Sequence, residues 1–308
     1  MTLQLEIVRT VTALRSSVSR WRGNGESVGV VPTMGMLHSG HLRLVGESRS
    51  RCRRTIVTIF VNAKQFDDAA DFATYPRDEE SDRAKLAAAS VDVLYAPDPT
   101  EMYPPGFATT VSVGGIREPL CGAFRPGYCD GVATVVTKLL LQALADVAFF
   151  GEKDFQQLQI VRRLVRDLNI PTEIICVPTL REEDGLALSS RNVRLTGEER
   201  KIAPRLYRVL QAVSARFARG DDPDCPGAVR ELLGAGFSKV DYVEVQDEDT
   251  LELADKSCPH ARVFGAAHLG RTRLTDNVLV APGPAPSMRL VDTPAAHGQH
   301  TATRWQHR

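Results

Sequence analysis

Val28-Gly-Val-Val-Pro32-Thr-Met-Gly35-Met-Leu-His38-Ser-Gly40-His41 is a strand, a loop and a helix start in fourteen residues. Val28–Val31 is a short apolar run closed by Pro32, the pattern of a buried strand. Pro32–Gly40 holds two glycines and reads as a turn-rich loop, and Leu42–Arg51 then reads as a helix. The same alternation continues outward. Strands are expected at Thr55–Val61, Val91–Ala96, Val147–Phe150 and Glu173–Val177, with helices at Asp78–Ser90, Val132–Ala145 and Phe155–Leu168. Upstream, Val8, Val11, Leu14, Val18 and Trp21 recur at helical spacing. Strands alternating with helices over about the first 180 residues imply an α/β fold with a doubly wound parallel sheet.

After Leu180 the pattern changes. Thr196-Gly-Glu-Glu199 fits a capping box before one long helix ending near Gly220. Gly220–Pro226 reads as a loop. Val240–Gln246, Arg262–His268 and Arg273–Val280 alternate like strands of a small mixed sheet. These features divide the chain into a first domain over residues 1–179, a second over 180–282, and a tail over 283–308. The tail is rich in Pro, His, Gln and Thr and is expected to be disordered.

Composition narrows the function. The 308 residues carry 38 basic and 38 acidic side chains, so no net charge draws the chain to nucleic acid or an anionic membrane. Apolar runs are strand-length, too short to span a bilayer. The six cysteines, Cys52, Cys121, Cys129, Cys176, Cys225 and Cys258, show no C-x-x-C spacing and read as reduced thiols of a cytoplasmic protein.

Four segments carry chemistry, and each follows an expected strand. In His38-Ser39-Gly40-His41, imidazoles at a helix start can donate to phosphate oxygens, while the helix N-terminus attracts the anion. Asn62-Ala-Lys-Gln65 offers amides for a polar organic substrate. In Gly151-Glu152-Lys153-Asp154-Phe-Gln-Gln157, Lys153 can neutralise a phosphate, Asp154 can accept from ribose hydroxyls, and Gln157 lies one turn on. Leu188-Ser189-Ser190-Arg191 presents two hydroxyls and a guanidinium, suited to the phosphates that leave as pyrophosphate. Each segment alone could be an ordinary capped helix or surface loop. Open α/β sheets bind ligands beyond the carboxyl ends of their strands, so the four should converge.

H-x-G-H followed by Ser-Ser-Arg resembles the nucleotidyltransferase superfamily. Pro-Thr-Met-Gly, Ile-Phe-Val-Asn with Gln-Phe, Tyr-Pro-Arg, Arg-Pro-Gly, Gly-Glu-Lys-Asp-Phe-Gln-Gln and Gly-Leu-Ala-Leu-Ser-Ser-Arg-Asn together resemble the pantothenate synthetase family, from about the first strand to Val280. The resemblance implies a Rossmann-like domain with a smaller α+β C-terminal lid, usually as a homodimer. It implies ATP-driven joining of pantoate to β-alanine through a pantoyl-adenylate. ATP contacts would come from Met34, Gly35, Met36, Leu37, His38, Ser39, Gly40 and His41, from Gly151 through Asp154, and from Leu180 and Leu188 through Arg191. His41 takes the place of the catalytic proton donor, with His38, Lys153 and Arg191 beside it. Gln65 and Gln157 would hold pantoate, with Gln65 also near β-alanine, and Asn62 would belong to the same pantoate/β-alanine site. Magnesium would bridge the phosphates, with Asp82 as the protein-side candidate. Other nucleotidyltransferases, or a catalytically dead nucleotide-binding module, share part of this pattern. The Gln65/Gln157 pair and the full set of phosphate ligands speak against them. The chain departs from the family at Ala63, Cys121, Tyr128 and Cys129, all bordering the expected pantoate pocket.

Overall fold

The computed structural model describes residues 5–281; the expectation for residues 283–308 lies outside them. Six strands, β1 (Glu6–Val8), β2 (Val28–Thr33), β3 (Arg54–Ile59), β4 (Val93–Tyr95), β5 (Val147–Gly151) and β6 (Glu173–Val177), form one sheet in the order β1-β4-β3-β2-β5-β6. Every pairing in it is parallel. Helices α1 (Val11–Gly23), α2 (Ser39–Arg51), α3 (Ala69–Ala73), α4 (Glu79–Ala88), α5 (Pro99–Met102), α6 (Cys121–Phe124), α7 (Tyr128–Ala143) and α8 (Phe155–Asp167) connect or flank these strands. The chain then forms α9 (Gly197–Ile202), α10 (Arg205–Ala218) and α11 (Cys225–Gly234). Strands β7 (Lys239–Asp247), β8 (Ala261–Leu269) and β9 (Thr272–Leu279) complete a second sheet in the order β7-β8-β9.

From β2 the chain moves outward to β3 and β4, then returns to place β5 on the other side of β2. The topological switch therefore lies between β2 and β5, and the loops leaving these two strands flank the crevice where open α/β sheets take ligands. Pro32 does not end β2 as its sequence suggests. Thr33 turns toward β3, its carbonyl accepting from Phe60 N–H, so Pro32 turns toward β5. Pairing with β5 covers only Gly29 and Val30, so the missing proline N–H costs no ladder bond.

Four further expectations are corrected. Val8 belongs to β1, a three-residue edge strand paired with β4, and α1 starts at Val11 behind Thr10, whose side chain accepts from Ala13 N–H. The helix expected to run on from Thr196 is interrupted. Its capping box is present, but α9 ends at Ile202 and α10 starts after Pro204, which cannot donate to the preceding turn. The stretch expected as a loop up to Pro226 already contains the start of α11, capped by Asp224 with proline in the first turn. The second sheet is antiparallel throughout, not mixed.

One face of the second sheet packs with α9–α11 through Leu206, Leu210, Leu232, Val243 and Val263. Its other face supplies Tyr242, Phe264 and Ala266 to the main core, where Phe264 meets Phe155 of α8 with ring centroids 5.9 Å apart. The smaller sheet thus shares an apolar core with the larger one. Among the described residues no helix is long and apolar enough to cross a membrane.

Gly29 lets α2 close on β2. A Cβ there would stand 2.3 Å from Ser48 Oγ, 3.1 Å from Cys52 Sγ and 3.2 Å from Phe149. Ser48 is held by Thr55 Oγ1 at 2.9 Å in the buried interior. Gly29→Ala is expected to destabilise the fold by about 1–3 kcal/mol, measured as a lower urea midpoint with unchanged m-value.

Candidate active site

His38 is the N-cap of α2. Its Nδ1 accepts from Gly40 N–H at 3.1 Å, and His41 Nδ1 accepts from His38 N–H at 3.3 Å. The two residues form a reciprocal capping box built from imidazoles, with ring centroids 4.1 Å apart. An Nδ1 that accepts carries no proton, so in the neutral ring the proton sits on Nε2. Burial, aided by the Lys153 and Lys85 charges, lowers the His38 pKa to about 4. Burial, then the neighbouring His38, lowers that of His41 to about 3. At neutral pH the site therefore presents two uncharged Nε2–H donors at the N-terminal end of α2, where the helix dipole favours an anion. Gly40 leaves room for this arrangement: a Cβ there would stand 2.8 Å from the His38 ring.

The crevice between the β2 and β5 loops brings together Met34, His38, Gly40, His41, Gly151, Lys153, Asp154, Leu180, Leu188, Ser189, Ser190 and Arg191, with Gln157. Lys153 donates from Nζ to Thr275 Oγ1 at 3.2 Å and lies 3.6 Å from Asp154. Tyr75, at the crevice wall, shares a hydrogen bond of 3.0 Å with Ser190 Oγ. Arg191 Nη2 donates to Asp71 at 3.3 Å, and Arg194 meets the same carboxylate at 2.5 Å. Burial alone would raise the pKa of Asp71, but Arg194 and Arg191 together hold it below the usual carboxylate value.

Other anticipated residues serve the walls. Asp82 accepts from Met36 N–H and Leu37 N–H, each at 2.7 Å, and its side chain is 2% exposed. It buttresses the loop, which passes through positive φ at Gly35 and Met36. Buried behind the loop, with both oxygens facing backbone amides and no part of it lining the crevice, it does not fit a magnesium site, which corrects the sequence expectation. Among the described residues no group of three or more His, Cys, Asp or Glu is placed to share a metal ion. Leu37 is core, packed with Val31 and Leu44. Ser39 opens α2. Glu152 turns away from the crevice to meet Arg262 at 2.9 Å.

Asn62 is also a wall residue. It is fully buried, donating to Gly131 O and Gln65 Oε1 at 3.0 Å each and accepting from Tyr103 OH at 2.8 Å. With Lys64 N–H also donating to its Oδ1 at 3.3 Å, both donors and both acceptor positions are taken, so it orients Gln65 and has nothing left for a ligand. Gln65 keeps a spare donor, because its Nε2 reaches only the weak acceptor Met34 Sδ, at 2.9 Å. Gly131 lets α7 press against this turn; a Cβ there would lie 2.0 Å from Lys64 O.

A second cavity adjoins the first through Lys153, Asp154, Gln157, Ser189 and Arg191. Two of the four departures, Cys121 and Tyr128, line it. Tyr128 lies beneath the Arg125 guanidinium, 4.0 Å from ring centroid to Cζ, and Arg125 is fixed by Asp67 at 2.6 Å and Gln65 O at 3.2 Å. Cys121 Sγ lies 3.4 Å from Tyr242 OH and 3.7 Å from Arg273 Nη1. Cys129 is buried, and burial pushes its thiol up to about 12, leaving it protonated. Ala63 opens the short 3-10 turn that carries Gln65. All six cysteines are free.

Asp71 and the β9 run Thr275-Asp-Asn277 are not singled out by the sequence, and Arg125, which opens the Arg-Pro-Gly motif, carries no role there. Three successive polar residues inside an otherwise alternating strand were the available signal for the β9 run.

A family model described as pantoate–β-alanine ligase matches residues 6–279. The chain is 56% identical over 281 residues to a pantothenate synthetase of Chelativorans sp. (strain BNC1), covering 91% of this chain and 99% of that one. It is 54% identical over 284 residues to that of Paramagnetospirillum magneticum, covering 92% and 100%. Among solved structures it is similar to pantothenate synthetase from Thermus thermophilus, with TM-score 0.83, 46% identity and coverage of 90% and 100%. It is also similar to pantoate–β-alanine ligase from Francisella tularensis complexed with β-γ ATP and β-alanine, with TM-score 0.78, 34% identity and coverage of 91% and 100%.

The depressed histidine pKa values have a stability consequence. An unfolded histidine takes up its proton near pH 6.5, whereas folded His41 resists protonation until about pH 3. The unfolded state binds more protons across that window, so stability is fully present above it and falls as pH drops through it. Asn in place of His41 keeps an acceptor for His38 N–H but does not titrate. His41→Asn is expected to flatten the fall in unfolding free energy between pH 6 and pH 4 by up to about 1.4 kcal/mol per pH unit. Urea titrations at several pH values measure this; parallel profiles would show that His41 does not titrate as described.

Proposed function

Because the chain belongs to the pantoate–β-alanine ligase family, we propose that it joins pantoate to β-alanine using ATP, through a pantoyl-adenylate intermediate. The observation that carries the route is the pair of neutral imidazole donors at the α2 N-terminus, facing Lys153 and Arg191 across one crevice. A carboxylate is a poor acyl donor at neutral pH. In the first step a pantoate carboxylate oxygen attacks the α-phosphorus of ATP, and pyrophosphate leaves. In the second the amine of β-alanine attacks the acyl carbon, and AMP leaves with the bridging oxygen. Neither step needs a protein nucleophile; both need positioning and charge stabilisation.

The residues divide accordingly. The Nε2–H groups of His38 and His41 donate to the α-phosphate, and His41 can pass a proton once bound phosphate offsets its low pKa. Lys153, Ser189, Ser190 and Arg191 receive the β- and γ-phosphates, and Asp154 accepts from the ribose. Gln65 and Gln157 hold pantoate in the line of attack; the spare amide hydrogens of Gln65 and the position of Gln157 between the two cavities support this. Magnesium would arrive on the nucleotide's phosphate oxygens rather than on Asp82. We take residues 1–179 as the nucleotide- and pantoate-binding domain and 180–282 as a lid that keeps water from the adenylate. A homodimer, resting on the family resemblance, and a cytoplasmic location, resting on the dispersed thiols, complete the reading.

Purified protein is expected to form AMP from ATP only when pantoate is present, and pantothenate only when β-alanine is added as well. ADP formation, or AMP formation indifferent to pantoate, would contradict the reading. His41→Ala is expected to lower kcat by about 10²–10³-fold with a folded protein. Gln157→Ala is expected to weaken pantoate by about 1–3 kcal/mol while ATP affinity, read by calorimetry, stays within about 0.5 kcal/mol.

A further inference from the structure

Strand β9 runs between the two phosphate-facing segments, and three successive residues tie it to both. Thr275 and Asn277 share one face of the strand. Thr275 Oγ1 accepts from Lys153 Nζ at 3.2 Å, and Asn277 Nδ2 donates to the carbonyls of Glu152 and Lys153 at 3.0 and 2.9 Å. Arg262 of β8 reinforces this side by bonding both Glu152 and Asn277 Oδ1.

Asp276 points to the opposite face, as strand alternation requires. Its oxygens receive the Arg181 guanidinium in a bidentate pair, 2.6 and 2.9 Å, with the Asp276 side chain 4% exposed. The same guanidinium donates to Gly185 O at 3.1 Å and Asn277 O at 3.3 Å, and lies 3.8 Å over the Tyr207 ring. Arg181 is the foot of a tight hairpin. Arg181 pairs with Ala187, and Leu188 N–H donates to Leu180 O at 3.0 Å. Gly185, at φ +96, sits so close to Tyr207 that a Cβ would be 2.5 Å from the ring. Ser189–Arg191 follow directly from this hairpin.

We propose that Thr275, Asp276 and Asn277 are positioning residues that set the separation between Lys153 and Ser189–Arg191, and hence the fit of the β- and γ-phosphates. Neither phosphate segment is tied to the other by a direct hydrogen bond among those described; β9 is the common anchor. The second sheet then holds the nucleotide's leaving group in register as well as covering it. Planar bidentate pairing fixes angle as well as distance, which a single bond to the hairpin would not do. The inference rests on the assignment of these two segments to the ATP phosphates.

The test is calorimetric binding of ATP and of AMP to the full chain. AMP lacks the two phosphates that the bracket aligns, so a general loosening of the fold would weaken both ligands alike. Asp276→Asn and Arg181→Lys are each expected to weaken ATP by about tenfold or more, with AMP affinity within about twofold of the parent. Thr275→Val, which removes one hydroxyl from a half-buried position, is expected to show the same pattern and decides the matter if Asp276→Asn fails to fold. Equal loss of ATP and AMP, or no loss of either in folded variants, would overturn the proposal. The activity reading stands or falls separately. Parent protein that binds ATP but makes no pantoate-dependent AMP would refute that reading, while the ATP-to-AMP ratio would still judge the bracket.

Discussion

Two hydrogen bonds at the start of α2 govern the rest of the site. His38 Nδ1 accepts from Gly40 N–H and His41 Nδ1 accepts from His38 N–H, so each imidazole is spent on its inner nitrogen. That commitment fixes which nitrogen carries the proton, turns both Nε2–H groups outward and keeps the rings uncharged where burial already disfavours charge. A helix start at the switch point of the sheet supplies the anion-attracting end. The imidazole cap then makes that end a pair of directed donors. Asp82 supports the arrangement from behind by pinning the Met36 and Leu37 amides, which keeps its carboxylate out of the crevice.

A site that works by positioning depends on the rigidity of what surrounds it. Here the rigidity is distributed. Asn62, filled by Gly131, Tyr103, Gln65 and Lys64, holds the turn that carries Gln65 against α7. Asp71 holds Arg191 and Arg194 from the β3 side, and Tyr75 holds Ser190. The second sheet grips the β5 loop through Asn277 and shares the main core through Tyr242 and Phe264. The second sheet therefore meets the crevice walls through apolar burial and polar contacts together.

Much of this was legible in the sequence, for identifiable reasons. The strands of the large sheet are continuous apolar runs because both faces are covered, and Glu173–Val177 is found with the bounds expected for it. His38, His41, Lys153 and Ser189–Arg191 were legible because each follows a strand end, and the topology gathers strand ends. Other features depend on partners far along the chain. β1 is three residues long and exists through pairing with Val93–Tyr95. The antiparallel register of the second sheet is invisible to a pattern that records only alternation. Asn62 and Asp82 were misread because residue type does not say whether a polar group faces a cavity or saturates a loop. Thr275, Asp276 and Asn277 were passed over because their partners, Lys153, Arg181 and Glu152, lie about a hundred residues upstream.

The central claim is that this scaffold directs a carboxylate oxygen onto the α-phosphorus of ATP. The most direct measurement follows that oxygen. Pantoate labelled with ¹⁸O in its carboxylate is incubated with ATP, β-alanine and the protein, and the products are analysed by mass spectrometry. Attack on the α-phosphorus predicts one labelled oxygen in AMP and none in pyrophosphate. Label in inorganic phosphate with ADP as co-product, or AMP that carries no label, would contradict the account.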